Sequence, residues 1–525
     1  MTDVNRSDFF LSGQVHYKGI FEKEVWVFKG IPFAQPPINN LRFRAPQKPI
    51  VDYQEWDATF FRSASIQENS MMGGITDTSE DCLYLNIWTP KPDNKKRPVM
   101  VWVHGGSLTS GAGSMDMYHG NKLAERGDVV FVNFNYRLGA LGFAHLGTLD
   151  NSYSINSDSD TKADSNNGLR DMIAALEWVK SHVEDFGGDP NNITLFGESA
   201  GAIAISCLIA SPLTKGLFHK TIIQSGTGDQ VIDKDVAASV AETLVNALEL
   251  DQDSLSELWQ ISAKNILKAQ RACMKMLVTR SNHDVPVTLY EATLTPVFGD
   301  DVLPEPPLEA YAKGIAKGIP TMLGTTEHEW DFFFKLNRPK DFKLGLEKYN
   351  NLDSEGLEKL FKRGLPTHYE QACSLYSSQT NYPETGPGRL AVYSDFEMDR
   401  AFWITTIRLA EAQSDHQTPA YHFIFSWDKG MFGAGHSIDL PLVFGHTEGV
   451  LSQMFCGNDP GVHKLSEQVQ DAWIAFAKTG NPSTSDLGEW APYTRDNRNT
   501  MELGETIQLR DDDRKELRLF WEDII

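Results

Sequence analysis

Short apolar runs recur along the chain, and each ends at a turn that contains glycine or polar residues. The runs are rich in β-branched residues, and strands that are buried on both faces of a parallel sheet have this kind of sequence. We therefore predict buried parallel strands at these runs. They cover residues 99–103, 129–134, 193–196, 221–223, 320–323 and 421–425.

Apolar residues at helical spacing dominate the segments between the predicted strands. In residues 169–183 the apolar positions share one helical face, and the turn at residues 187–190 ends the helix. The same periodicity predicts helices within residues 236–250, 357–362 and 469–478. Strands that alternate with helices are typical of an α/β fold.

The segment at residues 150–167 differs from the rest because Ser, Asp and Asn dominate it. Such a composition cannot build a core, so we expect a mobile surface loop there. No internal repeat and no Pro/Ser-rich linker divides the chain. The length of 525 residues would by itself indicate roughly three and a half domains at about 150 residues each.

The charge and cysteine content exclude several classes of function. The chain has 48 Lys and Arg against 71 Asp and Glu, a net charge of −23, which disfavours nucleic acid and anionic membrane surfaces. No stretch reaches the ~18 apolar residues of a transmembrane helix, and the first ten residues do not resemble a secretory signal. Five cysteines at irregular spacing form no metal-ligand pattern. We expect a cytoplasmic protein that has no metal, cofactor, nucleic-acid partner or membrane partner.

One motif carries the chemistry of a nucleophile. Residues 197–201, GESAG, match G-x-S-x-G, which arises by chance about 0.2 times in a chain of this length. A predicted strand enters the motif and a helix of small residues leaves it, as in a nucleophile elbow. Gly197 and Gly201 are needed because the sharp turn brings backbone segments into contact. Ser199 is therefore the candidate nucleophile, with a helix N-terminus beginning at Ala200 beneath it.

A second glycine turn follows an earlier predicted strand. Residues 104–107, HGGS, stand where a glycine-rich loop usually supplies further oxyanion donors. Seen alone, the turn is equally well explained as an ordinary strand end. Together with the elbow, it predicts an oxyanion hole formed by the backbone N–H groups of Gly106, Ser107 and Ala200.

Further sequence blocks extend nearly from end to end of the chain. They are GIPFA at 30–34, LRFR at 41–44, SEDCLYLN at 79–86, NYRLG at 135–139 and AFAKTGNP at 475–482. With these blocks and the elbow, the chain resembles the type-B carboxylesterase and cholinesterase family. The resemblance implies an α/β-hydrolase fold, in which helices flank a large, mostly parallel sheet and long insertions form an active-site gorge. It also implies that residues 1–525 form a single domain.

The catalytic acid and histidine follow the nucleophile in that order in this fold. By resemblance, the segment after the strand predicted at 320–323 is the acid loop. This alignment assigns Glu329 as the catalytic carboxylate, with Glu327 as its competitor. The resemblance also assigns the general base to His436, in a glycine-flanked loop after the last predicted strand, with His446 and His422 as alternatives.

Departures from the family's pattern narrow the expected substrates. Ser107 stands where the family usually has a third consecutive glycine, so we expect poor hydrolysis of bulky tertiary-alcohol esters. Residues 68–78 contain no aromatic side chain to bind a quaternary ammonium, so choline esters are not expected. The resemblance places Glu198, Tyr290 and Ala292 at the substrate site. We expect short to medium acyl chains.

One cysteine also departs from the family's pattern. By resemblance, secreted relatives pair the residue at Cys82 with an upstream cysteine. The matching position here is Ser65, so we expect Cys82 to be a free, buried thiol rather than a reactive one.

The sequence thus predicts hydrolysis of small carboxylic esters through an acyl-enzyme on Ser199, with His436 as general base and Glu329 as the orienting acid. Two alternatives use the same scaffold. One is a non-catalytic, cholinesterase-like binding protein, which would lack an intact triad, and the other is a hydrolase of amide, carbamate or lactone bonds. A metal site at His328, between Glu327 and Glu329, is disfavoured because no further ligand is evident.

Overall fold

The computed structural model describes residues 6–68, 75–149, 163–226, 228–251, 254–276, 293–336, 350–379, 382–512 and 514–525. The strands in these ranges are β1 (Arg6–Ser12), β2 (Val15–Glu22), β3 (Val25–Pro32), β4 (Glu55–Asp57), β5 (Ala64–Ser65), β6 (Thr78–Ser79), β7 (Tyr84–Thr89), β8 (Arg97–Val103), β9 (Val130–Phe134), β10 (Gly188–Glu198), β11 (Lys220–Gln224), β12 (Thr321–Thr326), β13 (Ala420–Phe425), β14 (Asn499–Leu503) and β15 (Ile507–Asp511).

The α-helices of the described ranges flank these strands, and one π-helical turn, Asp399–Trp403, connects the helix Gly386–Met398 to the helix Ile404–Asp415. The helices are α1 (Asn121–Gly127), α2 (Gly139–Phe143), α3 (Asn167–His182), α4 (Ala200–Ala210), α5 (Lys234–Ala247), α6 (Ala263–Cys273), α7 (Pro307–Ala312), α8 (Glu329–Leu336), α9 (Ser354–Gly364), α10 (Tyr369–Gln379), α11 (Gly386–Met398), α12 (Ile404–Asp415), α13 (Asp439–Phe444), α14 (Val450–Cys456), α15 (Gly461–Thr479) and α16 (Lys515–Trp521).

One large sheet organises the described chain. Its strand order is β1-β2-β3-β7-β9-β8-β10-β11-β12-β13-β14-β15, and β4 pairs with β2. The strands from β9 to β14 in that order pair in parallel. The remaining neighbours in that order are antiparallel, and the short β4 pairs with β2 in parallel. Every strand predicted from an apolar run lies in the parallel centre. The strands outside it were not predicted, because half-exposed strands such as β2 have no continuous apolar run.

Side chains alternate between the two faces of the sheet and pack into two separate cores. In β8, Val99, Val101 and Val103 belong to one core, whereas Met100 and Trp102 belong to the other. Residues of α3 and α4 complete the first core, and residues of α13 and α15 complete the second. Because both faces are covered, the central strands β9, β11, β12 and β13 are buried along their whole length.

Two of the sequence blocks meet in a buried ion pair. Arg42, in the LRFR block, donates through Nε to Oε2 of Glu80, in the SEDCLYLN block, at 2.6 Å. A further block contributes Arg137, whose Nε and Nη2 donate to the two carboxylate oxygens of Asp171 at 2.8 and 2.7 Å. Residues of these blocks therefore form contacts that hold distant segments of the chain together.

The prediction of a mobile loop over residues 150–167 is wrong at its C-terminal end. Its first part lies outside the described residues. The last residues are packed: Asn166 is fully buried and donates through Nδ2 to the carbonyl of Val297 at 2.7 Å. The carboxylate of Asp164 accepts from the N–H of Ala45 at 2.8 Å. Polar side chains here satisfy buried backbone groups, which composition alone does not reveal.

All five cysteines lie in described residues, and none of them forms a disulfide bond. The prediction that Cys82 is a free, buried thiol is confirmed, and burial raises its pKa to about 12. A thiol with so high a pKa is not a nucleophile at neutral pH. Among the helices described, none has both the length and the apolar character that crossing a bilayer requires.

Candidate active site

The carboxyl ends of the central strands bring the predicted site residues together. β8 ends at Val103, just before the glycine turn, and β10 ends at Glu198, just before Ser199. β12 ends at Thr326, three residues before Glu329. Because parallel strands present their carboxyl ends at one edge, the loops that follow them share one crevice.

Ser199 occupies a strained backbone conformation between β10 and α4. Its φ of 56° and ψ of −128° lie in a region that residues with a side chain rarely adopt. Its N–H donates to the carbonyl of Gln224 in β11 at 2.9 Å, and its carbonyl accepts from the N–H of Ile203 at 3.0 Å. Strain of this kind, about 1–3 kcal/mol, persists only where the surrounding structure enforces it.

The glycines of the elbow are required by close backbone contacts. A Cβ atom on Gly201 would lie 2.1 Å from the carbonyl oxygen of Val103, and one on Gly197 would lie 2.6 Å from the same oxygen. The predicted need for small residues at both positions is confirmed. A Cβ atom on Gly105 would lie 3.0 Å from the Cβ of Ser199, so the glycine turn passes directly beside the candidate nucleophile.

The three predicted oxyanion donors follow the two residues of this contact in the chain. Gly106 and Ser107 follow Gly105 with φ values of +108° and 54°. The carbonyl of Gly106 accepts from the N–H of Thr109 at 3.0 Å, which holds the turn. Ala200 is the first residue of α4, so its N–H has no partner within the helix.

His436 and Glu329 form a short hydrogen bond, although 107 residues separate them in the chain. Nδ1 of His436 lies 2.5 Å from Oε2 of Glu329, and both side chains are buried. The other carboxylate oxygen of Glu329 accepts from the N–H of Thr326 at 2.7 Å. Backbone hydrogen bonds tie the two loops together, from His436 to the carbonyl of Glu329 at 3.2 Å and from His328 to that of Ala434 at 2.9 Å.

The other ring nitrogen of His436 faces a second carboxylate. Nε2 lies 3.1 Å from Oε1 of Glu198, which also accepts from the hydroxyl of Ser437 at 2.6 Å. In the described part of the chain, Nε2 makes no hydrogen bond to the hydroxyl of Ser199. Glu198, predicted to contact substrate, is buried and contacts the histidine.

The charges around the imidazole change its acidity. Burial lowers the pKa of His436, but the carboxylates of Glu198 and Glu329 outweigh burial and raise the pKa to about 9. Burial also raises the pKa of Glu198, and it raises the pKa of Asp439 to about 8. The site therefore favours a protonated imidazole ring.

The residues considered as alternatives for the base, the acid and a metal site form contacts elsewhere. Those contacts join His446 Nε2 to the carbonyl of His119 (2.8 Å), His422 Nδ1 to the hydroxyl of Thr500 (2.9 Å), Glu327 to Arg510 (3.2 Å) and His328 to Asp395 (3.4 Å). In the described residues, no group of three His, Cys, Asp or Glu side chains has an arrangement suited to a metal ion. The predicted substrate residues Tyr290 and Ala292 lie outside the described residues.

Three phenylalanine rings that the sequence analysis missed surround the imidazole. The ring centroids of Phe332, Phe333 and Phe402 lie 5.8, 5.1 and 5.2 Å from that of His436. The first two follow Glu329 in one aromatic run and were open to prediction from that position. Phe402 projects from the π-helical turn, for which the sequence carries no signal.

Polar neighbours of the site were also missed. The amide Nε2 of Gln224 donates to Asp439, and the amide oxygen accepts from Nε1 of Trp473 at 3.0 Å. Gln224 ends a predicted strand, and Asp439 lies three residues after His436. Their position in the sequence was the only available indication, because their contacts depend on how β11 and α13 pack.

Comparison with known proteins shows which family and fold the chain is similar to. The pattern of the Carboxylesterase family matches residues 10–521. The chain is 36% identical over 508 residues to the para-nitrobenzyl esterase of Bacillus subtilis (strain 168), covering 95% of this chain and 96% of that one. It is 31% identical over 492 residues to the fumonisin B1 esterase of Sphingopyxis macrogoltabida, covering 90% and 82%. A solved Geobacillus stearothermophilus carboxylesterase matches with a TM-score of 0.84 at 31% identity, covering 98% and 100%. The predicted α/β-hydrolase fold is confirmed.

Proposed function

The chain belongs to the carboxylesterase family, and we propose that it hydrolyses esters of short to medium acyl chains through an acyl-enzyme on Ser199. Membership of this family makes the chain a carboxylic ester hydrolase of the serine type. The observation that carries the residue assignment is the strained elbow at Ser199, because the preceding residue, Glu198, contacts the imidazole of His436 that is hydrogen-bonded to Glu329.

In the proposed mechanism, Ser199 attacks the ester carbonyl while Nε2 of His436 takes the hydroxyl proton. Glu329 holds Nδ1 protonated, so that Nε2 is the nitrogen available as the base, and it stabilises the imidazolium that forms. Nε2 faces Glu198 in this structure, and its hydrogen bond to the hydroxyl of Ser199 would form when substrate is bound. The proton then passes to the leaving alcohol. In the second half of the reaction a water molecule, whose proton His436 takes, attacks the acyl-enzyme and releases the carboxylic acid product.

The negative charge on the carbonyl oxygen is met by the N–H groups of Gly106, Ser107 and Ala200. The positive end of α4 adds to this stabilisation. Removing one such donor typically costs about 3 kcal/mol of transition-state stabilisation. Because these donors are backbone groups of the glycine turn and the elbow, the fold itself orients them.

Aryl and benzyl esters are the proposed substrates. The Bacillus subtilis relative is named as an esterase of para-nitrobenzyl esters. Phe332, Phe333 and Phe402 place apolar surface around His436, which suits an aromatic alcohol or a short acyl chain. We further propose that residues 1–525 act as one domain, because β1 and β15 join the same sheet. Five cysteines that form no disulfide bond favour a reducing compartment, which supports a cytoplasmic location.

Hydrolysis of p-nitrophenyl butyrate by the wild-type chain and by Ser199→Ala tests the nucleophile. The variant should lose at least about 10⁴-fold in kcat, and a fluorophosphonate should label the wild-type chain at Ser199 alone. Ser206→Ala is the matched control, because Ser206 is a buried serine of the same helix, α4. Turnover or labelling that survives in Ser199→Ala would refute the assignment.

A further inference from the structure

Four arginine side chains converge on one small cavity near the C-terminal end of the chain. Arg498, Arg510, Arg514 and Arg518 all line a cavity of about 20 Å³. A cavity needs about 10–15 Å³ to hold one water molecule, so this cavity can hold a single atom of that size or slightly larger. Asp512 is the one acidic side chain among the described residues of the lining.

The guanidinium groups are largely buried and are held in fixed positions. Their side-chain exposures are 12% for Arg498, 21% for Arg510, 20% for Arg514 and 6% for Arg518. Arg518 donates through Nε and Nη2 to the carboxylate of Asp512 at 2.9 and 2.8 Å. The closest carboxylates to the other three arginines do not line the cavity; they are Glu411 (2.5 Å), Glu502 (2.6 Å) and Asp399 (2.7 Å). Nε of Arg498 also lies 3.9 Å from Asp512.

Donor capacity remains on two of these arginines. Arg498 uses Nη1 for both Glu411 and the hydroxyl of Tyr493, and its Nη2 makes no hydrogen bond to a described residue. Nη1 of Arg518 likewise makes none within the described chain. Because Arg518 is more than nine-tenths buried and lines the cavity, the cavity is the space into which its spare N–H groups can donate.

We propose that this cavity binds a small anion, with space for a single anionic atom such as chloride. Guanidinium groups with fixed geometry and unused donors recognise anions through charge-assisted hydrogen bonds. Each of the four guanidinium groups also pairs with a carboxylate, so the proposed site depends on the unused N–H donors of Arg498 and Arg518 and not on an excess of positive charge. A phosphate would fit with one oxygen in the cavity and the rest outside it.

The position of the cavity links it to the catalytic loops. Arg510 contacts Glu327, two residues before Glu329, at 3.2 Å. The guanidinium of Arg514 lies 4.7 Å from the ring of Trp403, at the end of the π-helical turn that carries Phe402. An anion in the cavity therefore stabilises the arginines that join the C-terminal segment to these two regions, and it should raise the melting temperature.

The first test is thermal unfolding of the full chain at constant ionic strength, with sodium chloride replacing sodium gluconate. Gluconate is the more stabilising salt by non-specific exclusion, so a specific site is revealed by a rise in chloride. We expect a saturable rise of about 1–2 °C, since a bound ligand stabilises the folded state by mass action. A third arm with sodium phosphate distinguishes an oxyanion from a halide.

Two variants test whether the rise in melting temperature with chloride arises at this cavity. Arg498→Lys keeps the positive charge but removes the guanidinium fork, and it should weaken the chloride response at least several-fold. Arg126→Gln is the matched control, because Arg126 forms a surface ion pair with Asp471 far along the chain, and it should keep the full response. A response that is equal in both variants would overturn the proposal.

A crystal of the wild-type chain soaked in sodium bromide tests the site without any variant. The anomalous signal of bromide should lie within hydrogen-bond distance of Arg498 and Arg518. A peak without a saturable rise in melting temperature would indicate an adventitious ion only, and this outcome, like the absence of a peak, would overturn the proposal.

Discussion

Two buried clusters of charged side chains differ in whether their charges balance. In the first, which we call the structural pair, the guanidinium of Arg137 meets the carboxylate of Asp171 through two hydrogen bonds, and the side chains are 3% and 0% exposed. In the second, the histidine cluster, two carboxylates, Glu198 and Glu329, face the two ring nitrogens of His436.

The structural pair contributes to the stability of the fold, whereas the histidine cluster changes the acidity of a titratable group. In the structural pair one positive charge meets one negative charge, so its contribution is to hold α3 against the strand end that precedes α2. In the histidine cluster the excess of negative charge acts on the group that can still gain or lose a proton, and the pKa of His436 rises to about 9. A site that stabilises the imidazolium is suited to the proposed step in which His436 takes the proton of Ser199.

Glu329→Gln should produce the largest loss because it breaks the histidine cluster at the contact with Nδ1. The amide can present its N–H₂ group to the ring and stabilise the wrong tautomer, and kcat for p-nitrophenyl butyrate should fall by about 10⁴-fold. The melting temperature should change little. A loss smaller than tenfold would contradict the assignment of Glu329, and Glu327→Gln, with its side chain on Arg510, is the control.

Asp171→Asn should have the next largest effect, but on folding rather than on chemistry. It leaves the buried guanidinium of Arg137 without its counter-charge, and the free energy of unfolding should fall by about 3–5 kcal/mol. Urea denaturation measures this loss. The kcat of the folded fraction should stay within about twofold of the wild-type value, and a selective loss of kcat would show that the pair takes part in catalysis.

Glu198→Gln tests the other side of the histidine cluster. The base must be neutral, so kcat/KM rises as the pH increases through the pKa of His436 in the free enzyme. Removing the negative charge of Glu198 lowers that pKa, and the midpoint of the rise should move by about one unit to lower pH.

Ser437→Ala is the matched variant, because it removes the hydrogen bond to Glu198 but keeps both carboxylates. Its midpoint should move less than that of Glu198→Gln. A midpoint that stays in place or moves to higher pH in Glu198→Gln would exclude the electrostatic role of Glu198.

Ser107→Gly should have the smallest effect, because it changes no charge in either cluster. The side chain at Ser107 is exposed, with a φ of 54°. Glycine at this position should leave hydrolysis of p-nitrophenyl acetate within about threefold and raise hydrolysis of a tertiary-alcohol ester. Tertiary-ester activity that does not rise would show that the hydroxymethyl group is not the obstacle.

The local parts of the site could be predicted from the sequence because each is formed by a few consecutive residues. The elbow at residues 197–201 and the turn at residues 104–107 each follow an apolar strand, and both occupy the predicted places. The pairing of Glu329 with His436 was implied by resemblance rather than by any local pattern. The contact of Nε2 with Glu198 was not predicted, since it depends on the angle at which the histidine loop crosses the sheet.

The sequence by itself determined the central strands and the elbow, because buried strands need apolar runs and tight turns need glycine. The tertiary structure decided which charges meet: Asp171 opposite Arg137, Glu198 beside His436, and four arginines around one cavity. The reason is physical. The preference of one segment for strand or helix depends on neighbours a few residues away, whereas the energy of a buried charge depends on partners that only folding brings within a few ångströms.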